Sequence, residues 1–232
     1  ANKGTVNSEL MNKKTKEASQ KFSVTGKDQK IKSPRRAPDV DNASVCYGDL
    51  VVFHDQAGLG ALFASTDLVY THTGTEGGSV VAVTPMERVN ALLFNHVWQI
   101  VSPLGVSRDG EKIMRGDVMR FRHLASGYYL TAGSLSSPVG PSTSEVTLTN
   151  NENDAAAHWL LQETTLSSDQ TVIPGKVGMR LFHVATNKIL SFASYTDSSL
   201  GDRHPVCTQT ISNARRRGMG ALFFVAYKII AD

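Results

Sequence analysis

Met119-Arg-Phe-Arg-His-Leu-Ala-Ser-Gly-Tyr-Tyr-Leu-Thr131 and Met179-Arg-Leu-Phe-His-Val-Ala-Thr-Asn-Lys-Ile-Leu-Ser191 align without a gap and share Met, Arg, His, Ala and Leu at matching places. Self-similarity of this kind reports a structural unit used more than once. A weaker third copy, Leu50-Val-Val-Phe-His-Asp-Gln-Ala-Gly-Leu-Gly-Ala61, again sets a histidine four residues before a turn-forming residue. Each copy reads as a β-hairpin: an apolar strand ends at His54, His123 or His183, and Gly58, Gly127 or Asn187 follows. Those three residues tolerate the positive φ that a tight turn demands.

Each hairpin is followed by a further β-rich segment, Ser79 to Thr84, Glu145 to Thr149 and Val206 to Ile211. Each unit then closes on a strand with a large aromatic: Val97 to Val101 with Trp98, His158 to Leu161 with Trp159, and Leu222 to Val225 with Phe223 and Phe224. Twelve short strands in three equivalent sets predict an all-β β-trefoil, in which closure removes exposed sheet edges. A β-sandwich accommodates the strand count but gives no reason for a threefold repeat. The histidines lie 69 and 60 residues apart, so the first unit carries the largest insertion, around Met86 to Asn95. Insertions of that size are where function is usually grafted.

Outward from the repeats, the texture changes near Val45. Residues 1 to 44 hold ten Lys/Arg against five Asp/Glu, with Phe22 the sole aromatic and no sustained apolar period. Such a segment cannot bury enough to fold alone, and it is predicted to be a disordered basic tail ahead of a folded domain over 45–232. Lys30 to Arg36 (Lys-Ile-Lys-Ser-Pro-Arg-Arg) reads as solvated linker. The remainder, with fourteen basic against sixteen acidic residues, is slightly acidic, and no nucleic-acid motif is present, so no nucleic-acid partner is expected. Apolar residues make up 41% of the chain, as in ordinary soluble proteins, and no run reaches the roughly twenty that a spanning helix requires, so no direct membrane contact is expected. Two cysteines, Cys46 and Cys207, are too few for a disulfide framework and read as free thiols, although a bridge between the chain's ends is compatible with a trefoil. Asn42-Ala-Ser44 is a glycosylation acceptor only in a secretory-pathway chain.

No catalytic signature is present: there is no His-Glu-x-x-His, Cys-x-x-Cys, phosphate loop or Gly-x-Ser-x-Gly, so neither an enzyme nor a cofactor is expected. Gly58-Leu-Gly-Ala-Leu-Phe63 and Gly218-Met-Gly-Ala-Leu-Phe223 lack the third glycine of a dinucleotide fingerprint and read as turns entering strands. The three histidines read as structural, not as metal ligands, because equivalent trefoil positions sit on separate hairpins. Arg215-Arg216-Arg217 is the densest basic cluster of the folded part, expected in a loop before the last strand, where guanidiniums can contact an anion or an acidic partner.

Arg120-Phe-Arg-His-Leu-Ala-Ser-Gly-Tyr-Tyr-Leu130 resembles the Arg-Phe-Lys-His-Leu-Ala-Thr-Gly-His-Tyr-Leu segment of the MIR-type β-trefoils of inositol trisphosphate and ryanodine receptors. The similarity extends over Gly48 to His54, Val97-Trp98, Arg180 to His183 and Phe224, and covers about residues 46 to 230. The resemblance implies a non-enzymatic regulatory module of a calcium-release-channel-like polypeptide, at the cytoplasmic face of an internal membrane, packing on neighbouring domains. MIR modules also occur in protein O-mannosyltransferases and related secretory-pathway proteins, which implies an alternative: recognition of glycans or client proteins. Those relatives carry Leu-His-Ser-His after the turn, whereas this chain has Tyr129-Leu-Thr-Ala132 and Ile189-Leu-Ser-Phe192, so the channel branch leads. In the channel family an Arg-Thr-Thr-Gly-Arg loop contacts inositol phosphate; its match here is Thr71-His72-Thr73-Gly74-Thr75. Both arginines are absent, so any inositol phosphate would be held without most of the charge-assisted bonding.

Overall fold

The computed structural model describes residues 44–66, 79–85, 93–137, 139–140, 142–163, 171–172, 174–175, 178–216 and 223–229. The chain divides into two units, Ala1–Asp41 and Asn42–Asp232. The basic tail is outside the described residues except for Ser44. Twelve strands occur among the described residues: β1 (Leu50–Asp55), β2 (Gly60–Ser65), β3 (Val80–Pro85), β4 (Val97–Val101), β5 (Val118–His123), β6 (Tyr129–Ser136), β7 (Ser144–Thr149), β8 (Trp159–Glu163), β9 (Met179–His183), β10 (Lys188–Phe192), β11 (His204–Gln209) and β12 (Phe223–Ile229). One short helix, α1 (Ile211–Arg216), precedes β12.

The pairings give the architecture. β1 pairs β4, β4 pairs β5, β5 pairs β8, β8 pairs β9, β9 pairs β12 and β12 returns to β1, all antiparallel, so six strands close on themselves. The hairpins β2–β3, β6–β7 and β10–β11 stand off that ring, and β11 ties the other two together through β3 and β7. The result is all-β and β-trefoil-like, with four strands in each of three units. No helix among the described residues is long and apolar enough to cross a membrane.

The barrel is filled in threefold layers, because equivalent strands deliver equivalent side chains. Phe53, Phe121 and Leu181 form one set and Ile100, Leu161 and Val225 another, all buried. Phe53 meets Phe121 edge-on, with ring centroids 5.3 Å apart and planes at 87°. One end is sealed by a cyclic set of backbone bonds: Val45 N–H to Val172 O at 2.9 Å, Ile113 N–H to Val45 O at 2.8 Å, and Val172 N–H to Ile113 O at 3.2 Å. Three glycines with positive φ, Gly48, Gly116 and Gly175, turn the chain into β1, β5 and toward β9, donating to Ile100 O, Leu161 O and Val225 O respectively. The void left inside is about 10 Å³ and apolar. That is the room of one water-sized sphere, so the barrel interior is packing and not a ligand chamber.

The predicted hairpin turns are observed where expected, with φ of 77° at Gly58, 74° at Gly127 and 51° at Asn187. Asn187 is the one that pays a steric cost. Asn187→Ala is expected to lose about 1 kcal/mol, and Asn187→Gly to be near neutral, read from urea midpoints at unchanged m value.

Two sequence expectations need correction. His54 is not the counterpart of His123 and His183. Trp98 pairs His123 and Trp159 pairs His183, but Phe223 pairs Asp55, one residue beyond His54. The register of β1 against β12 shifts between Val52 and Phe53, and a one-residue slip exchanges the faces of a strand. Arg215 and Arg216 do not lie in a loop: they close α1, which starts where Thr210 Oγ1 accepts the Asn213 N–H at 3.3 Å. Cys46 and Cys207 are both free thiols, half-buried and buried respectively.

Candidate interaction surface

The units meet along seams where the closing strand of one lies against the opening strand of the next. At the first seam β4 carries Trp98 opposite His123 on β5, ring centroids 5.1 Å apart; at the second β8 carries Trp159 opposite His183 on β9, also 5.1 Å apart. Each indole N–H reaches back into its own unit's hairpin, Trp98 to Leu62 O at 3.2 Å and Trp159 to Leu130 O at 3.0 Å. Phe223 takes this place in the third unit and has no N–H to give.

Each seam histidine clasps its own turn. His123 Nδ1 lies 2.9 Å from Ser126 Oγ, and His183 Nδ1 lies 2.9 Å from Thr186 Oγ1. His183 Nε2 lies 2.7 Å from Ala156 O, so Nε2–H donates to that carbonyl and Nδ1 accepts from the threonine hydroxyl. At the first seam His123 Nε2 has no corresponding hydrogen-bond partner among the described residues. Burial pushes His123 down to about 4 and, despite the Ala156 carbonyl and Asp154, also holds His183 below the ordinary histidine value. A ring kept neutral this far into acid is a poor general base, so the Ser126–His123 contact is a turn clasp and not an activated nucleophile. No group of three or more His, Cys, Asp or Glu suited to a metal ion occurs among the described residues.

Two arginines near the first seam are engaged. Arg120 is buried, donates to Ser102 O at 2.9 Å and Glu152 O at 2.8 Å, and stacks 4.9 Å above the Tyr129 ring. Arg108 binds Asp117 at 2.8 Å, Glu111 at 2.9 Å and Tyr47 Oη at 3.0 Å, and burial together with Asp117 pushes the Tyr47 phenol up to about 12. These are struts between loops.

Apolar side chains are among what the seams present outward, beside the exposed Arg122 of β5. Leu124 and Val184 follow the two seam histidines at equivalent positions and are 39% and 49% exposed. Their N–H groups donate to Val97 O at 2.9 Å and His158 O at 3.0 Å, pinning each turn to the closing segment of the preceding unit. The first seam adds Phe94, 67% exposed, on the 3-10 turn Leu93–His96 that ends the first unit's insertion. Scattered exposed apolar residues are ordinary, but Leu124 and Val184 recur at symmetry-related places, and at the first seam Phe94 lies three residues before Val97, whose carbonyl holds the Leu124 N–H.

Of the residues singled out from sequence, Thr71, His72, Thr73, Gly74 and Thr75 lie outside the described residues, as does Arg217. Arg215 and Arg216 sit at the end of α1, with no placement described for their side chains. Sequence reasoning missed Phe94, Leu124 and Val184, which look like core residues on paper. The signal available was positional: the residue after each seam histidine falls in the turn, off the strand.

A sequence model of the MIR domain matches residues 89–216, which is 128 of the chain's 232 residues. Dolichyl-phosphate-mannose–protein mannosyltransferase 4 of Saccharomyces cerevisiae is 32% identical over 104 residues, 42% of this chain and 14% of that much longer protein. Among solved structures, the SDF2-like protein from Arabidopsis thaliana matches with a TM-score of 0.68 at 18% identity, over 81% of this chain and 97% of that one. A Caenorhabditis elegans protein of unknown function matches at 0.66 and 20% identity, over 81% and 98%. The S. cerevisiae protein O-mannosyltransferase Pmt1-Pmt2 complex bound to the sugar donor matches at 0.65 and 16% identity, over 80% of this chain and 25% of that one. At these identities the structural matches bear on the fold.

Proposed function

The chain belongs to the MIR-domain family, and from that premise we propose that it is a non-enzymatic recognition module of the secretory pathway, a β-trefoil that binds extended apolar segments of client polypeptides. The observation that carries this reading is the exposure of Phe94 and Leu124, two large apolar side chains on segments that flank the bond from the Leu124 N–H to Val97 O at the first seam. An edge of this kind offers area and shape to a polypeptide side chain. A glycan asks for convergent hydrogen-bonding groups, and the bonds of Arg120 and Arg108 are directed inward, to the loops they brace.

The channel reading of the sequence yields to its alternative here. The relatives matched include a protein mannosyltransferase and an SDF2-like protein, which supports the secretory-pathway side of the MIR resemblance. The Thr71–Thr75 loop has no arginine to neutralise phosphate, which weighs in the same direction. Asn42-Ala-Ser44 is a glycosylation acceptor in a chain that enters that pathway. A recognition role without catalysis fits seam histidines committed to turn hydroxyls and carbonyls.

Phe94→Asp is the direct test. Because Phe94 is a surface residue, the variant is expected to melt within a degree or two of the parent, yet to bind a fluorescein-labelled, reduced and alkylated model polypeptide at least tenfold more weakly (roughly 1.4 kcal/mol). Unchanged anisotropy binding curves for the variant sink the reading.

A further inference from the structure

The outward face of β8 and β9 holds a block of side chains that the other seams do not repeat. Leu160 lies opposite Phe182, and Gln162 lies opposite Arg180. All four are half-buried, while the residues that alternate with them along each strand are buried in the core. Directly paired residues project from one face of a sheet, and Val118 of β5, paired with Leu160, extends the apolar pair by a third side chain. The repeat supplies its own comparison. Gln99 and Arg122 take the places of Leu160 and Phe182 at the first seam, and Phe224 and His54 take them at the third. Barrel closure therefore does not require an apolar pair there.

Arg180 is a second asymmetry on the same face. Its repeat mate Arg120 is held within the fold, bonded to Ser102 O and Glu152 O and stacked on the Tyr129 ring. Ile189 pairs Phe182 as Tyr129 pairs Arg122, so the ring that holds Arg120 is replaced by an aliphatic side chain in the third unit. Among the described residues the side chain of Arg180 has neither a hydrogen-bond nor an ion-pair partner, and neither does that of Gln162.

We propose that this face of β8 and β9 docks an extended polypeptide segment of the form apolar-x-acidic: its apolar side chain rests on Leu160 and Phe182, and its carboxylate is held by Arg180 and Gln162. Geometry sets the spacing. Phe182 and Arg180 are two residues apart on one strand, about 7 Å, and residues i and i+2 of an extended peptide project to one side at the same interval. A guanidinium holds a carboxylate through two parallel N–H donors, and the Gln162 amide adds a donor from the adjacent strand. Charge selects the occupant further. The folded part carries fourteen basic against sixteen acidic residues, so a long polyanion meets net repulsion, whereas a single carboxylate beside an apolar side chain meets one unpaired cation beside an apolar pair. The site does not rest on the recognition of apolar segments at the first seam, which uses other residues.

The probes are short fluorescein-labelled peptides in a Gly-Ser frame that carry Leu-Ser-Glu, Leu-Ser-Lys or Ser-Ser-Glu. By anisotropy, the Leu-Ser-Glu peptide is expected to bind the parent roughly fivefold or more tightly than either of the others, with its margin over lysine shrinking as salt is added. Arg180→Glu removes a side chain with no partner to lose, so it is expected to melt with the parent and to reverse the preference, favouring Leu-Ser-Lys over Leu-Ser-Glu. Leu160→Gln with Phe182→Arg imports the pair found at the first seam and is expected to abolish the advantage of leucine over serine. Should that double variant fail to fold, the three peptides on the parent still decide the point. Equal binding of the glutamate and lysine peptides overturns the proposal. So does equal binding of the leucine and serine peptides, which would make the face an anion site only, and so does a preference that survives Arg180→Glu. Sedimentation showing that the parent self-associates, with Arg180→Glu restoring the monomer, would assign the face to a second copy of the chain and overturn the peptide as its occupant.

Discussion

Gly60→Ala is expected to be the most damaging glycine substitution among the described residues, costing about 4 kcal/mol or preventing folding. A Cβ at position 60 would lie 1.9 Å from Thr84 O and 2.6 Å from Thr84 C, both backbone atoms of the partner strand. Neither can rotate away. β2 and β3 pair from Gly60↔Pro85 through Ser65↔Val80, so relief requires the hairpin to splay along its length. Gly60 also gives its N–H to Asp55 Oδ2 at 2.5 Å, the buried carboxylate that stands where the other two units have histidine. Gly58→Ala is the control. It strains a φ of 77° but meets nothing within 4 Å, and is expected to cost about 1 kcal/mol. Urea unfolding of both variants reads the contrast: similar losses at the two positions would mean that backbone conformation, not the β2–β3 approach, governs this turn.

Trp98→Ala is expected to follow at about 4 kcal/mol, because it empties a fully buried site and removes the donor to Leu62 O. Trp98→Phe is expected to cost only about 1 kcal/mol, on the precedent of Phe223 in the third unit. Thermal or urea denaturation distinguishes the two. A Phe variant as weak as the Ala variant would show that the indole bond, and not the volume, holds the seam.

Much of this fold is written in a short stretch of the sequence. The gapless match of Met119–Thr131 with Met179–Ser191 is visible because β5–β6 and β9–β10 share turn length and register, and the positive φ of Gly127 and Asn187 follows from residue type. The first unit is where reading by identity fails. His54 attracts the alignment, but register there is set by Phe53 in the barrel layer and by the irregularity at Val52/Phe53, which puts Asp55 opposite Phe223. No local pattern announces a bulge whose reason is the closure of the barrel. The helix at Ile211–Arg216 was hidden for a simpler cause: six residues are too few to display a period, and only the Thr210 cap marks its start. The candidate surface was the least legible. Phe94, Leu124 and Val184 have core composition, and only three-dimensional placement separates an exposed leucine after a turn histidine from the buried ones before it.

The Arg108 cluster illustrates the same limit. From sequence, Arg108, Glu111 and Asp117 are scattered charges in a loop; in the fold Arg108 spans to Tyr47, and Asp117 Oδ2 accepts the Met114 N–H at 2.8 Å as Asp49 Oδ2 accepts the Cys46 N–H at 2.7 Å. Two Asp turns thus repeat at the barrel mouth, a geometry that the spacing of the charges does not announce.

Backbone amide chemical-shift mapping tests the first seam as a polypeptide-recognition edge most directly. Titration with the unfolded model polypeptide is expected to move the amides of Phe94, Asn95, Leu124 and their seam neighbours together, while inositol trisphosphate and a mannose oligosaccharide leave them still. Shifts confined to Thr71–Thr75 on adding inositol trisphosphate, or a polypeptide titration that passes Phe94 and Leu124 by, would contradict it.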